Sequence, residues 1–459
     1  MKFTIAEVVA ATRGVLVQGS LSRTIKGVST NSKTVKRGEL FIAIQGKRFD
    51  AHDFISEVVQ KGVKAVAVSR GDMSCPAGIA VIRVEDTTRA LGDLARAHRK
   101  KFSVPVIAVT GSAGKTTTKE MIAAILRSRY RVLKNAGTEN NQFGVPLTVL
   151  KMKPSHDAVV LEVGTNSPGD IAWLTSIACP TIAVMTNIGE SHLELLKTPA
   201  DVFKEKLNLV KGLPREGTVV VNADDPYLRK IRGRSSGRRC VTYGVNRPAD
   251  FRAGGITMAH NRLEFTVNAS QKMTLAAPVP ANICNALAAV SCGRIFKVSW
   301  RDIKRRLRHF SFQPGRQAFK KAGEIWLIDD TYNANPVSFR AALKTLSLFK
   351  TEGRKILVCG DMLELGDQSQ PLHEEAGAAA AQIGLDCVIS FGNFSRWITK
   401  TVRERNPAVA VRHCATPDEV ERALRTCVRP SDVVLVKGSR GMKMERFVEF
   451  LINNDRKSC

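Results

Sequence analysis

Residues 104–129 read VPVIAVTGSAGKTTTKEMIAAILRSR. Three pieces follow one another. VPVIAVT is a short apolar run of buried-strand type. Gly111-Ser112-Ala113-Gly114-Lys115-Thr116 is a glycine-rich turn. TTTKEMIAAILRSR carries Met121, Ile122, Ile125 and Leu126 at helical spacing, so those four face a sheet. A strand that turns on glycines into a helix gathers backbone N–H groups into an anion nest, and the helix N-terminus adds partial positive charge. Lys115 then reaches a β/γ-phosphate, and the hydroxyl of Thr116 or Thr117 ligates Mg²⁺. The reading predicts ATP binding through Gly111, Ser112, Ala113, Gly114, Lys115, Thr116 and Thr117. The G-x-x-G-K-T spacing is shorter than the common G-x-x-x-x-G-K.

Outward from the loop, DAVVLEVG, TIAVMTNIG and TVVVNADD are further short apolar runs that end in polar residues or glycine. That pattern belongs to a parallel sheet covered on both faces, with functional groups at the strand ends. Residues ~240–275 change character, and RLEFTV alternates as an antiparallel strand does. NICNALAAVSCGRIF closes the region as a helix. Beyond Pro314-Gly315, EIWLIDD, KILVCGDM, DCVISFG and DVVLVKGSRG are strands with helical segments such as SFRAALKTLSLF between them, a second doubly wound unit. Upstream, short strands and helices end in the helical stretch TTRALGDLARAHRKKF. The fold class is α/β in three domains: a small N-terminal α/β domain (1–102), a central P-loop parallel-sheet ATPase domain (103–312) and a C-terminal Rossmann-like domain (313–459).

A chain of 459 residues suits about three domains of ordinary size, and 44% hydrophobic with 24% charged residues is a globular composition. No run of about 18 apolar residues is present, and the N-terminus lacks a signal-peptide core, so a cytoplasmic protein with no membrane insertion is expected. The ten cysteines include no C-x-x-C pair and read as small buried hydrophobes, not as disulfide or zinc sites. The net charge of +28 fits anionic ligands, nucleic acid or a broad Lys/Arg bias. Its clusters, such as Arg232-Gly233-Arg234 with Arg238-Arg239 and Lys304-Arg305-Arg306, are short and lack interleaved aromatics. They read as solvated faces, and no nucleic-acid partner is expected.

Two strand ends carry further candidates. Glu162, in LEVGTN, is placed to bind Mg²⁺ directly or through water, or else to cap a turn. His192, in TNIGESHLE, is either structural or a ligand beside the nucleotide.

Taken together, VTGSAGKTTTKEM, NQFGVPLTVL, LEVGTNSPGDI, TNIGESHLE, NADD, IDDTYNANPVSFRAAL, CGDMLELG and VKGSRGMKME resemble the Mur ligase family over essentially the whole chain, in order. DDTYNANP and GDMLELG point to the branch that joins D-alanyl-D-alanine to UDP-N-acetylmuramoyl tripeptide. They separate it from siblings that add earlier amino acids and from folylpolyglutamate synthases. The resemblance implies an ATP-dependent amide ligase working through an acyl phosphate, with two Mg²⁺ ions, acting on those two substrates; a monomer is the simplest expectation. It assigns phosphate and metal binding to Lys115 and Thr116, metal ligation to Glu162 and His192, and a carbamylated lysine to Lys206. Lys204 competes for that last role, and the distance to Gly212-Leu213 favours Lys206. Lys115, Lys206 and His192 are thereby the catalytic set.

Asn282 and Asn285 match the family's adenine-side pair, with Asn285 the stronger match. Val279 and Ala281 replace the family's Gly and His there, and Asn208 replaces a Glu. Arg316 and Asp330 match positions near phosphates and ribose. Tyr332, Asn333 and Asn335 match a substrate-cleft motif that also suits turn chemistry before Pro336. In STNSKTVKRGELFIAIQGKRFDAHDF, Ser32, Lys33 and Gly46 match the UDP-sugar signature. Asn31 and Ala51 stand where Asp and Gly are usual. Three alternatives stay open: a sibling ligase with another amino-acid substrate, a non-catalytic nucleotide-binding relative, and a nucleic-acid-binding ATPase motivated by charge alone.

Overall fold

The computed structural model describes residues 2–46, 49–71, 75–234, 237–259 and 262–455. Lys47 and Arg48 of the N-terminal signature lie outside them, as does Cys459, and the side chains of Arg232 and Arg234 are likewise not described. The expected strands and helices are present, gathered into three larger sheets. The first has five strands in the spatial order Val15–Gln18, Ala80–Arg83, Ala65–Val68, Leu40–Ile42, Val28–Ser29; only the first of these runs antiparallel to its neighbour.

The central sheet has nine strands. From the edge Val132–Lys134 it passes through Ala158–Glu162, Val106–Thr110, Ile182–Met185, Thr218–Asn222, Arg239–Gly244 and Phe251–Ala259, all parallel. Arg262–Val267 and Gln271–Leu275 then add antiparallel. The change to antiparallel pairing therefore comes later than the sequence placed it, because Arg239–Gly244 still continues the parallel ladder. Val106–Thr110 lies between Ala158–Glu162 and Ile182–Met185, with Glu162 opposite Val109 and Met185 opposite Thr110. The carboxyl ends of these three strands thus open side by side, where an open α/β sheet binds ligands.

Helix Lys115–Leu126 leaves from that edge. Met121, Ile122, Ile125 and Leu126 are fully buried in a core shared with helix Ala281–Ile295. Helix Thr87–Arg99, capped by Asp86, packs on helices Gly144–Val149 and Asp170–Ala178. The Arg99 guanidinium fastens it there through the carbonyls of Ala178, Cys179 and Val104 at 3.0–3.2 Å.

The third sheet has the order Ala318–Ala322, Ile325–Asp330, Val433–Lys437, Lys355–Gly360, Cys387–Phe391, Ala410–Cys414. All pairs but the first are parallel. Both edge strands escaped the sequence reading, because AFKKA and AVRHC are half polar and lack the apolar run of a central strand. The nine cysteines in the described residues are free thiols. Burial pushes Cys284 and Cys292 up to about 12, so they behave as small apolar groups.

Candidate functional site

The loop after Thr110 is tailored to glycine. A Cβ on Gly111 would stand 1.9 Å from the Thr186 hydroxyl oxygen, and one on Gly114 (φ 79°) would stand 2.4 Å from Asn285 Oδ1. The neighbouring strand end holds the loop. Ser112 N–H donates to Asn187 O (2.9 Å), Ala113 N–H to Asn187 Oδ1 (2.8 Å), and the Thr186 hydroxyl to Ala113 O (2.6 Å). Ser112 and Ala113 therefore engage their own amides in shaping the turn. Thr118 N–H bonds back to Gly114 O at 2.9 Å. The amides before it belong to the helix's first turn and lack intrahelical acceptors.

Lys115 Nζ donates to Gly111 O at 2.8 Å. Burial pushes its pKa down, against the pull of Glu162. Glu162 is buried and held at both oxygens: Thr116 Oγ1 donates to one and Asn140 Nδ2 to the other, each at 2.7 Å. Lys119, one helical turn beyond Lys115, is fully buried. Its ammonium lies 4.0 Å from Glu162 and donates to the carbonyls of Asn135 and Gly137 at 2.9 and 2.8 Å. Asn135 Oδ1 in turn accepts from Glu162 N–H at 2.9 Å. Lys119 and Asn140 were not singled out from sequence. The i, i+4 spacing of Lys119 from Lys115 was the available signal; Asn140 is brought to Glu162 only by folding.

His192 sits at φ 55°, in the left-handed region, as the cap of helix Leu193–Leu196. Its Nδ1 meets Glu364 at 2.7 Å, and that contact holds Glu364 below the usual carboxylate range. A proton on Nδ1 leaves Nε2 as the available ligand nitrogen. Glu364 lies in CGDMLELG, a motif noticed as a signature without a role for that residue.

Lys206, on helix Pro199–Lys211, is fully buried, and its Nζ has no hydrogen-bond partner among the described residues. Burial and the nearby Lys115 cation push its pKa well down. Lys204 is exposed. Asn208, the residue in place of the family's Glu, donates to Glu205 at 3.3 Å, and Glu205 accepts the amides of Gly169 and Ile171 at 2.9 and 2.8 Å.

On the side facing the helix Ala281–Ile295, Asn285 is oriented by two bonds. Its Nδ2 donates to Asn282 Oδ1 (2.9 Å) and its Oδ1 accepts from Thr118 Oγ1 (3.1 Å). Val279 is buried and its carbonyl accepts from Asn282 N–H at 2.9 Å. Both asparagines thus keep their hydrogen bonds with Val279 and Ala281 in place of the family's Gly and His.

The third sheet supplies the opposite wall. Asn335 caps helix Pro336–Leu348 through Ser338 N–H at 2.8 Å, and its Nδ2 also donates to Ser112 O at 3.1 Å. Asn335 thus caps the helix, as turn chemistry before Pro336 predicts, and also reaches across to the phosphate loop. The Tyr332 hydroxyl bonds Thr138, and the Arg316 guanidinium stacks 4.1 Å over the Tyr332 ring. Lys437 donates to Asp330 (2.7 Å) and to Asn333 O (3.0 Å). Burial pushes Asp330 up while Lys437 pulls it down.

Together these walls enclose a cleft of about 740 Å³. Ser112 to Thr117, Glu162, His192, Asn282, Asn285, Arg316, Asp330, Tyr332, Asn333 and Asn335 line it; Gly111 and Lys206 are not in its open wall. Ser32, Lys33 and Gly46 are not brought to it either. Ser32 and Lys33 lie in a turn, with Lys33 N–H donating to Asn31 Oδ1 at 2.9 Å. An Asp makes the same bond, which explains why Asn31 is accepted there. Gly46 N–H closes onto Phe49 O at 2.9 Å. Ala51 begins the short helix Ala51–Phe54 and is not among the residues of positive φ, so nothing there requires glycine.

Among the described residues no group of three or more His, Cys, Asp or Glu side chains forms a metal cage. The buried carboxylate and the hydroxyl beside it are oxygen donors that suit Mg²⁺ sharing its ligands with substrate phosphates. The orphaned Lys206 amine fits a carbamate, since an anionic group there would answer both its missing partner and the Lys115 charge.

A nucleotide loop, a carboxylate beside it and a second α/β unit closing over both define an ATP-binding ligase fold, and the chain belongs to the Mur ligase family. Three family models match it: "Mur ligase family, catalytic domain" over residues 24–99, "Mur ligase middle domain" over 109–293 and "Mur ligase, glutamate ligase domain" over 315–440. Within the family its relatives include UDP-N-acetylmuramoyl-tripeptide–D-alanyl-D-alanine ligases. That of Bacillus subtilis is 34% identical, covering 99% of each chain, and that of Escherichia coli is 36% identical, covering 94% of each. Among solved structures, MurF from Acinetobacter baumannii superposes with a TM-score of 0.90 at 31% identity over 99% of each chain. MurF ligase from Thermotoga maritima, in complex with ADP, gives 0.84 at 31% identity over 95% of this chain and 99% of that one.

Proposed function

We propose that this chain joins D-alanyl-D-alanine to the free carboxylate of UDP-N-acetylmuramoyl tripeptide with the conversion of ATP to ADP and phosphate, a step of peptidoglycan precursor synthesis. One observation carries the reading. The phosphate loop and the Tyr332–Asn335 segment line the same cleft and are bonded to each other through Asn335 and Ser112. The γ-phosphate and an incoming amine can therefore meet in one enclosed space.

A carboxylate is a poor electrophile, and amide formation in water is uphill. Transfer of the γ-phosphoryl group to the tripeptide carboxylate makes an acyl phosphate. The dipeptide amine adds to its carbonyl carbon, and the tetrahedral intermediate collapses with loss of phosphate and a proton. Side chains need supply position and charge, not covalent chemistry. The first-turn amides and Lys115 grip the phosphates. Asn285 and Asp330 seat the nucleoside, with Arg316 toward the phosphates. Tyr332, Asn333 and Asn335 receive the dipeptide, and Ser32, Lys33 and Gly46 hold the UDP end. Thr116, Glu162, His192 and Lys206, the last as a carbamate, would hold Mg²⁺, which when bound neutralises charge on the transferring phosphoryl group.

The division into 1–102, 103–312 and 313–459 follows from these roles: UDP-sugar, ATP and dipeptide. The enzyme acts as a monomer in the cytoplasm. No helix of the described residues is long and apolar enough to cross a membrane. Phosphate release from ATP, Mg²⁺ and UDP-N-acetylmuramoyl tripeptide should rise steeply when D-alanyl-D-alanine is added. Release that ignores the dipeptide would overturn the assignment and favour a sibling substrate.

A further inference from the structure

The +28 charge is not accounted for by the cleft, and part of it collects at the opposite pole of the central sheet. Helices Lys115–Leu126 and Ala281–Ile295 both begin at the cleft and run away from it; the first is ~18 Å long at about 1.5 Å per residue. Their far ends meet helix Trp300–Arg308. Arg306 reaches the carbonyl of Arg127 (3.2 Å) and Arg129 that of Lys297 (3.5 Å), so the three segments form one surface. Arg127, Arg129, Lys297, Arg301, Arg305 and Arg308 are exposed on it. Segments 127–131, 153–157 and 294–309 carry only two carboxylates, Asp157 and Asp302, and these are taken by Arg131 and Arg305. Arg127, Arg129, Lys297, Arg301 and Arg308 make no ion pair among the described residues.

Helix C-termini attract cations, but that effect fades within a turn and explains a few of these residues, not the whole array. We propose that this pole is a docking face for an anionic lipid bilayer. An array of exposed cations without ion pairs among the described residues needs only a surface of negative headgroups, which the cytoplasmic leaflet presents. Nucleic acid fits less well, because its single-stranded sites combine a basic groove with bare aromatic platforms. The aromatics here are already covered: Arg129 lies over Tyr130 and Arg294 over Trp300 (5.8 and 5.0 Å), while the Tyr130 hydroxyl is bonded to Phe296 O. Docking by this pole would leave the cleft, at the other end of the sheet, open to the cytosol. The association is peripheral and electrostatic, so salt releases it.

The test is co-sedimentation of the full chain with vesicles of phosphatidylglycerol and phosphatidylcholine, against phosphatidylcholine alone. The chain should bind the mixed vesicles at low salt and leave them at high salt. Replacing Arg129, Lys297, Arg301 and Arg308 by Gln should lower that affinity by roughly 10³-fold with ligase rate unchanged. Replacing Arg403, Arg405, Arg412 and Arg422 by Gln removes the same charge from the third sheet's region and should change it far less. Should the fourfold variant fail to fold, Arg301→Gln with Arg308→Gln gives a smaller drop in the same direction. Equal loss from both sets, no preference for the anionic vesicles, or tighter binding to an RNA oligonucleotide at the same salt would each overturn the proposal.

Discussion

Two of the buried lysines around the cleft, Lys437 in the C-terminal α/β unit and Lys206 in the central one, are treated in opposite ways. Lys437 ends the strand Val433–Lys437 directly across from Asp330 in register, and its ammonium is answered by that carboxylate and by Asn333 O. Lys206 is as deeply buried, has no hydrogen-bond partner among the described residues and stands near a second cation, Lys115. A buried charge is stable only when paired and hydrogen-bonded. The first lysine is thus complete within the chain and holds the wall of the site in place. The second has no such answer among the described residues, which is what a reacting or ligand-binding group looks like.

The largest expected effect lies with Lys206. Lys206→Ala should lower the ligase rate by about 10²–10³-fold or more, and bicarbonate should not restore it, while the fold remains intact. A variant with full rate in steady-state phosphate release would end the carbamate assignment. Lys437→Met should do the reverse, acting first on stability. Leaving Asp330 buried without its counter-ion costs about 3–5 kcal/mol, measured by urea unfolding. Lys437→Met with Asp330→Asn should recover much of the loss.

A smaller effect separates the two lysines by pH. The folded pKa of Lys206 is depressed, so the unfolded chain binds a proton that the folded amine does not. The penalty is full below the folded pKa and disappears as pH rises toward the unfolded value of about 10.4. Without CO₂, the wild type should therefore gain stability with rising pH relative to Lys206→Met. Parallel curves would show that the amine is not held neutral. The smallest effect is expected from Asn335→Ala. It removes a helix cap worth about 1 kcal/mol and the bond to Ser112. Thermal unfolding should record the first, and a raised KM for the dipeptide the second.

The local motif was the legible part of the molecule. The strand, loop and helix of 104–129 are contiguous, so their order alone places an anion nest and a sheet-facing apolar stripe. The central parallel strands such as Val106–Thr110 and Ala158–Glu162 were legible because burial on both faces makes them apolar throughout, whereas Arg239–Gly244, polar at its start, was not. The edges Ala318–Ala322 and Ala410–Cys414 were not, since one side of each strand lacks a neighbour. Within the site, Glu162 and His192 could be proposed from strand ends. Lys206 had no signal of its own beyond the family resemblance, because a lysine on a helix is ordinarily solvated. Its burial, Asn140 on Glu162 and Glu364 on His192 arise between segments far apart in the chain, and only the fold brings them together.

The acyl phosphate is the intermediate on which the proposed chemistry turns. If the tripeptide carboxylate is labelled with heavy oxygen and turned over with ATP and D-alanyl-D-alanine, one labelled oxygen should appear in the released inorganic phosphate. Phosphate that emerges unlabelled, with amide formed, would mean that the carboxylate is never phosphorylated in this cleft.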